Sequence, residues 1–230
     1  MMALNKSTES DGFNQIVSDR RSVRAFLKQP VDAALMRRIF ETAELAPSNC
    51  NSQPWLTHVV SGASRDAMSD ALMLTIGEGQ YALDFPYDGK YDGIYRERQL
   101  EVGLMLYQAL GIKREDKAAK RQAFLRNLTF FGAPHVAFIF MPDWGDVREA
   151  ADVGMYAQNL MLTLRAHGLA SCPQTILGYN ADVVRQQLAI DSKQKLLFGI
   201  SFGYEDITRP ENQICPPRAP LSEVTKFYNE

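Results

Sequence analysis

Cysteine is scarce in this chain: Cys50, Cys172 and Cys215 are its only three among 230 residues. They stand far apart with no paired spacing, which argues against a disulfide framework and a zinc knuckle and points to a reducing compartment, the cytosol. Histidine is as sparse. His58, His135 and His167 are scattered, so each reads as a strand or helix residue and no metal site is expected. Charge of one sign is missing too. The formal net charge is −2, too little to draw the whole chain to nucleic acid or to an anionic membrane, so any bound anion must be gripped locally. No apolar run approaches the ~20 residues that cross a bilayer. The polar stretch Met1 to Asp11 has neither the apolar centre of a signal peptide nor the arginine-rich pattern of a transit peptide, and residues 1–12 are expected to form a flexible lead. A dinucleotide glycine fingerprint is absent. No Ser-His-Asp set, reactive Cys-His pair or paired carboxylate cluster can be assembled either.

What is present is enough for a sizeable core, with 46% hydrophobic residues, and a single domain over 13–230. Phe13, Ile16 and Val17 sit at helical spacing and lead into a cationic cluster beginning at Arg20. A second helix follows Pro30, capped by Asp32, with Leu35, Met36, Ile39, Phe40 and Ala43 on one face. Residues 55–61 read as a strand, and a third helix starts near Ser64 with Met68, Leu72 and Ile76. Gly77 to Gly93 is a long loop of glycine, tyrosine and aspartate, of the kind that serves as a lid or binding segment. Helices follow over 94–110 and about 114–128, then a buried strand over 136–141. Val147 to His167 is apolar almost all round and suits a central helix in a dimer core. Ser171 to Asn180 reads as a loop, Ala181 to Ala189 as a short helix and 196–202 as a strand. From Tyr204 onward, Pro210, Pro216, Pro217 and Pro220 exclude regular helix and leave an extended arm or a disordered tail. Ile214, Leu221, Val224 and Phe227 favour an arm that packs on something.

Five features could carry chemistry. Arg20, Arg21, Ser22 and Arg24 place three guanidinium groups and a hydroxyl within five residues, which suits a phosphate; the same arginines could simply favour the negative end of a helix. The turn from Pro47 to Trp55 offers short donors and acceptors in Ser48, Asn49, Asn51 and Gln53, or is a plain loop ahead of a core tryptophan. Asn127 stands before Phe130 to Pro134 at a helix-to-strand junction, where an amide can read the edge of a heterocycle. Pro173 and Gln174, followed by Thr175 and Ile176, could lie against a flat ring and direct backbone N–H groups at it. Arg218, among prolines of the arm, could add a cation or lie in solvent.

In their order along the chain, these pieces resemble the nitroreductase family of FMN enzymes. The resemblance runs from about Phe13 to Val224 and is carried by Arg20-Arg21-Ser22-Val23-Arg24-Ala25-Phe26, by Pro47-Ser48-Asn49-Cys50-Asn51-Ser52-Gln53-Pro54-Trp55, and by Asp152 to Pro173 with its Gln158-Asn159 and Gly168-Leu169. The Gly77 to Gly93 insert and the Asn127 to Pro134 pattern are similar to the branch of bacterial nitrobenzoate reductases. The resemblance implies an α+β nitroreductase-like fold, a mostly antiparallel sheet surrounded by helices, in an intertwined homodimer whose C-terminal arm (204–230) embraces the partner. It implies that Arg20, Arg21, Ser22 and Arg24 hold the phosphate and ribityl chain of FMN with help from Arg218. Asn127 would bond the pyrimidine edge, Pro173 and Gln174 would flank the isoalloxazine, and an N–H near Thr175 or Ile176 would face N5. Pro47, Ser48, Asn49 and Asn51 would reach the flavin of the other subunit. One departure is visible: some relatives carry a lysine two positions before the arm's arginine, where this chain has Pro216.

The activity implied is hydride transfer from NAD(P)H to nitroaromatic or quinone-like acceptors in a ping-pong cycle, with both substrates using one pocket. Tyr81, Phe85, Tyr87, Tyr91 and Tyr95 are candidates to line or lid that pocket, or else pack on a neighbouring helix. Sibling chemistries on the same scaffold stay open, namely reductive dehalogenation with a lid of Glu78, Tyr81 and Lys90, flavin fragmentation or enone reduction. So does a non-catalytic flavin-binding or redox-sensing role.

Overall fold

The computed structural model describes residues 6–77 and 81–229. Eight helices surround one sheet among these residues: α1 (Lys6–Asp19), α2 (Ala33–Ala43), α3 (Gly62–Gly77), α4 (Gly93–Ala109), α5 (Lys117–Leu125), α6 (Val147–Ala166), α7 (Ala181–Leu188) and α8 (Leu221–Val224). The strands are β1 (Leu56–Ser61), β2 (His135–Pro142), β3 (Ala170–Gln174) and β4 (Gln194–Gly203), in the order β1-β2-β4-β3 with every pair antiparallel. This is the α+β arrangement the sequence implies. Glu78 of the dehalogenase reading lies outside the described residues.

β2 is central, and its sequence reads as an unbroken apolar run because both faces are covered. Successive side chains alternate across the sheet. Val136, Phe138 and Phe140 therefore join Met68 and Leu72 of α3 and Val184 of α7 on one side. Ala137, Ile139 and Met141 join Ile39 and Ala43 of α2 and Tyr156, Leu160 and Leu164 of α6 on the other. Asp32 starts α2 by accepting the Leu35 N–H at 2.9 Å, as its position before the helix requires. α6 starts where the Asp146 N–H meets the Glu149 carboxylate at 2.9 Å, and it ends at Gly168, whose φ of +75° closes the last turn.

Two expectations are corrected. Ser171 to Asn180 is not a loop throughout, because Ala170–Gln174 is the strand β3, followed by a 3-10 turn over Thr175–Gly178. Pro173 does not prevent this, since β3 is an edge strand and a proline there forfeits no ladder bond to a further neighbour. The arm is not devoid of helix either. Pro210–Gln213 forms a 3-10 turn and Leu221–Val224 one α-turn that begins directly after Pro220, which is where proline is compatible with helix. At the other end, α1 starts at Lys6, upstream of Phe13, so residues 6–12 continue that helix.

Apolar surface is left over. No residue of α4 is buried, and Leu100 and Leu104 on it are more than half exposed, as are Phe13 of α1 and Leu221, Val224 and Phe227 of the arm. α6 buries a single stripe and leaves Val147 and Met155 exposed on its other side.

Candidate functional site

The segment after α1 is extended rather than helical. Ser22 forms a parallel bridge with Ser171 of β3, and the Val23 N–H donates to the Ser171 carbonyl at 3.0 Å. Extended backbone alternates its side chains, so Val23 and Ala25 enter the core while Arg20, Ser22 and Arg24 share the other side. Arg20 closes α1 through its N–H to the Ile16 carbonyl at 3.1 Å, and Ser22 and Arg24 continue from there beside β3.

Asn212, which is 1% exposed, holds this segment in place. Its Oδ1 accepts the Arg24 N–H at 2.7 Å, and its Nδ2 donates to the carbonyls of Ala25 and Asp206, each at 2.9 Å. Its own carbonyl accepts Arg21 Nε at 2.8 Å. Arg21 Nη2 meets the Glu205 carboxylate at 2.5 Å. Arg21 is thus paired with a carboxylate and hydrogen-bonded inside the fold. Arg126 adds a second tie by bonding Glu211 and the Arg24 carbonyl, each at 2.7 Å.

Arg20 and Arg218 are different. With Arg21, Gln158 and Pro216 they border a cleft of about 450 Å³ between α1, α6 and the arm, and of the three arginines there only Arg21 has a carboxylate partner among the described residues. Among the described residues no carboxylate pairs with Arg20, Arg24 or Arg218. Burial, and then the neighbouring Arg218 cation, lower the pKa of Arg20. The Arg218 guanidinium turns back on the Pro216 carbonyl at 2.9 Å. Facing cations without a counter-ion are costly, and a bound dianion removes that cost. Beneath them, burial pushes the Cys172 thiol up to about 11 against the pull of Arg24 and Ser22, which leaves it an inert packing group.

The second wall begins at Pro173, exposed on edge strand β3. Thr175 and Ile176 open the 3-10 turn, whose leading N–H groups have no acceptor within the turn. Gln174 is 4% exposed and directed inward. Its Nε2 donates to the Asn127 carbonyl at 3.0 Å and to Asn127 Oδ1 at 3.1 Å, while its Oε1 accepts from Ser201 Oγ. Its side chain therefore orients Asn127. Asn127 also donates to the Phe124 carbonyl at 2.8 Å, leaving one Nδ2 proton and one Oδ1 lone pair for a ligand edge.

The turn at Pro47 is tight, with Cys50, Asn51 and Gln53 at φ near +50°, a conformation that costs energy in a non-glycine residue. Ser48 Oγ accepts the Gln53 N–H at 2.9 Å, and the Asn49 N–H donates to the buried Asp152 carboxylate of α6 at 3.0 Å. Asn49, Asn51 and Pro47 remain exposed. Asp152 and Arg165, which bonds Asp19 next to the arginine segment at 2.9 Å, lie at opposite ends of α6, roughly 20 Å apart by helical rise.

Asn212, Glu205, Arg126 and Asp152 carry no local motif, and their partners are remote in sequence. Of the four, only Asp152 stands inside a motif that the sequence singles out. Among the described residues no cluster of three or more His, Cys, Asp or Glu is placed to hold a metal ion.

The four-stranded antiparallel sheet wrapped by helices, with its arginine-lined cleft, points to a class of protein. The sequence matches the pattern of the nitroreductase family over residues 17–204, and the chain belongs to that family. It is 47% identical over 214 residues to nitroreductase NfnB of Mycolicibacterium smegmatis, covering 93% of this chain and 91% of that one. It is 35% identical to a 4-nitrobenzoate reductase of Pseudomonas putida, over 95% and 96% of the two chains. The crystal structure of the FMN-dependent NfnB of Mycobacterium smegmatis in complex with NADPH superposes with a TM-score of 0.93 at 45% identity, over 96% of this chain and all of that one.

Proposed function

We propose that this chain is an FMN-dependent nitroreductase that oxidises NADPH or NADH and reduces nitroaromatic or quinone-like acceptors by a ping-pong mechanism. The observation that carries this reading is the unneutralised pair Arg20 and Arg218 bordering one cleft, with Arg20 and Arg24 close enough to act on Cys172, the residue before Pro173. The donor set fits FMN. Arg20, Arg24, Ser22 and Arg218 are cations and a hydroxyl suited to the phosphate, Asn127 offers an amide to the pyrimidine edge, and Pro173 gives a flat apolar contact. The amides of Thr175 and Ile176 are placed to donate to the ring's reactive nitrogen.

FMN, when bound, supplies two-electron transfer between donor and acceptor. The chain's own part is to hold it, to keep Asn127 in one rotamer through Gln174, and to leave one open face where donor and acceptor bind in turn. No side chain need act as nucleophile or general base. The leftover apolar surface of α4, α6 and the arm supports a homodimer, in which the exposed Pro47 turn would reach the partner's flavin. The free thiols Cys50, Cys172 and Cys215 suit a reducing cytosol.

Purified protein incubated with FMN and desalted tests the reading. It should retain a flavin spectrum that NADPH bleaches without oxygen and nitrobenzene restores. Colourless protein, or flavin that NADPH leaves oxidised, contradicts it.

A further inference from the structure

The insert after α3 is not a free lid. The Ala82 N–H donates to the Tyr179 carbonyl at 2.8 Å, and the Ala82 carbonyl accepts the Ala181 N–H at 3.1 Å. Next to this bridge, the Asp84 side chain is 7% exposed and inserts between two core elements. Its carboxylate meets the Arg185 guanidinium of α7, the Leu196 N–H of β4 at 2.8 Å and Lys195 Nζ at 3.9 Å.

Above that anchor stand four phenols. Tyr81 meets Tyr179 edge to face with centroids 5.8 Å apart, and Tyr87 lies 6.2 Å from the same ring. Tyr87 and Tyr91 hydroxyls are 3.4 Å apart. Tyr179 directly follows the Thr175–Gly178 turn, so the insert is fastened to the segment assigned above to the flavin. Tyr81, Tyr87 and Tyr91 still expose 54%, 41% and 44% of their surface, aromatic area held in place yet not consumed by packing.

Resting on the FMN reading above, we propose that Asp84 is a positioning residue for acceptor recognition. It holds Tyr81, Tyr87 and Tyr91 against Tyr179 as an aromatic wall that receives uncharged nitroarenes in preference to nitrobenzoates. Stacking on phenol rings suits an electron-poor arene, and neutral phenol O–H groups can donate to nitro oxygens. Tyr87 stays neutral: the Tyr91 hydrogen bond, with burial and the Asp88 charge among the lesser causes, pushes its pKa up to about 12. A substrate carboxylate finds less here, because Arg185 and Lys195 are engaged by Asp84. Lys90 is the one cation between Tyr81 and Tyr95, and it is flanked by Asp88 and Asp92.

Steady-state kinetics with NADPH and FMN-loaded protein test this directly. The KM for 4-nitrobenzoate should exceed that for nitrobenzene by about tenfold or more, and the gap should narrow as added salt screens Asp88 and Asp92. Equal KM values, or a lower one for 4-nitrobenzoate, overturn the charge preference. In Asp84→Asn, the nitrobenzene KM should rise about tenfold while kcat per bound FMN stays within about twofold. An unchanged KM, or a fall in kcat alone, overturns the positioning role. If Asp84→Asn does not fold, Tyr87→Ala at an exposed position carries the test: its nitrobenzene KM should rise about fivefold, and an unchanged KM overturns the wall. Wild-type protein that takes up no FMN, or does not consume NADPH with nitrobenzene, would instead refute the parent reading.

Discussion

Arg20 and Arg21 are neighbours in sequence, yet replacing each with alanine should produce opposite phenotypes. Arg21 Nη2 is 2.5 Å from Glu205, with side chains 24% and 11% exposed, and its Nε is 2.8 Å from the Asn212 carbonyl. Removing it leaves a largely buried carboxylate and a carbonyl without their donor. Breaking a fully buried pair costs about 3–5 kcal/mol and an exposed one at most about 1 kcal/mol, so this mostly but not fully buried pair should cost about 2–3 kcal/mol. In a chain of this length that lowers Tm by roughly 5–10 °C. Arg20 has no carboxylate partner among the described residues, and the charge that perturbs it most is the cation Arg218. Arg20→Ala should leave the Tm of the FMN-free protein nearly unaltered. It should weaken FMN by about 1.5–3 kcal/mol, the worth of a charge-assisted hydrogen bond, or roughly 10–100-fold in Kd. Thermal melts of flavin-free protein and FMN fluorescence-quenching titrations read the two effects separately. An Arg21→Ala protein with normal Tm and weak FMN binding, beside an Arg20→Ala protein that binds normally, would refute this division of labour.

Stability should also fall in mild acid through His135. Its Nε2 accepts the Val31 N–H at 2.9 Å, so it is unprotonated, and burial lowers its pKa below the ordinary 6.5. A base depressed in the fold contributes stability that is whole above its unfolded pKa and is lost as pH falls through about 6.5 toward the folded value, with a limiting slope of about 1.4 kcal/mol per pH unit. Melts between pH 7.5 and 5.5 should show this loss, and His135→Gln should flatten it; equal slopes in both proteins would count against the assignment. Gly178→Ala tests the packing of the turn under Tyr179. A Cβ there would lie 2.8 Å from the Leu197 carbonyl oxygen, so the variant should lose about 1–3 kcal/mol in chemical denaturation, and a fully stable variant would show that the turn shifts freely.

How far the sequence could be read depended on where each residue's partners lie. α2, α6, β2 and β4 were legible because their apolar periodicity reflects burial against neighbouring layers, and Asp32 and Gly168 mark two of their ends. β3 was not, since five residues with a central proline give no alternation, and only an edge position makes that proline compatible with a strand. Within the site, Arg20, Arg24, Asn127 and Pro173 keep side chains at least partly open to solvent. What the sequence does not show is that the side chains of Arg21 and Gln174 are engaged by Glu205, Asn212, Asn127 and Ser201. Asn212 lies 188 residues from the backbone N–H it holds, and nothing around it in the chain announces that contact. The same is true of Asp84, which looks like one more polar residue of a turn until its three partners converge on it.

The most direct test of the central claim compares FMN with riboflavin, which lacks only the phosphate, in wild-type protein and in Arg20→Gln. Fluorescence-quenching Kd values should favour FMN over riboflavin by roughly 100-fold or more in the wild type, as several charge-assisted contacts imply. In Arg20→Gln that preference should shrink by about tenfold or more while riboflavin affinity stays the same. If Arg20→Gln weakens FMN and riboflavin equally, or neither, the cleft of Arg20 and Arg218 is not the phosphate site.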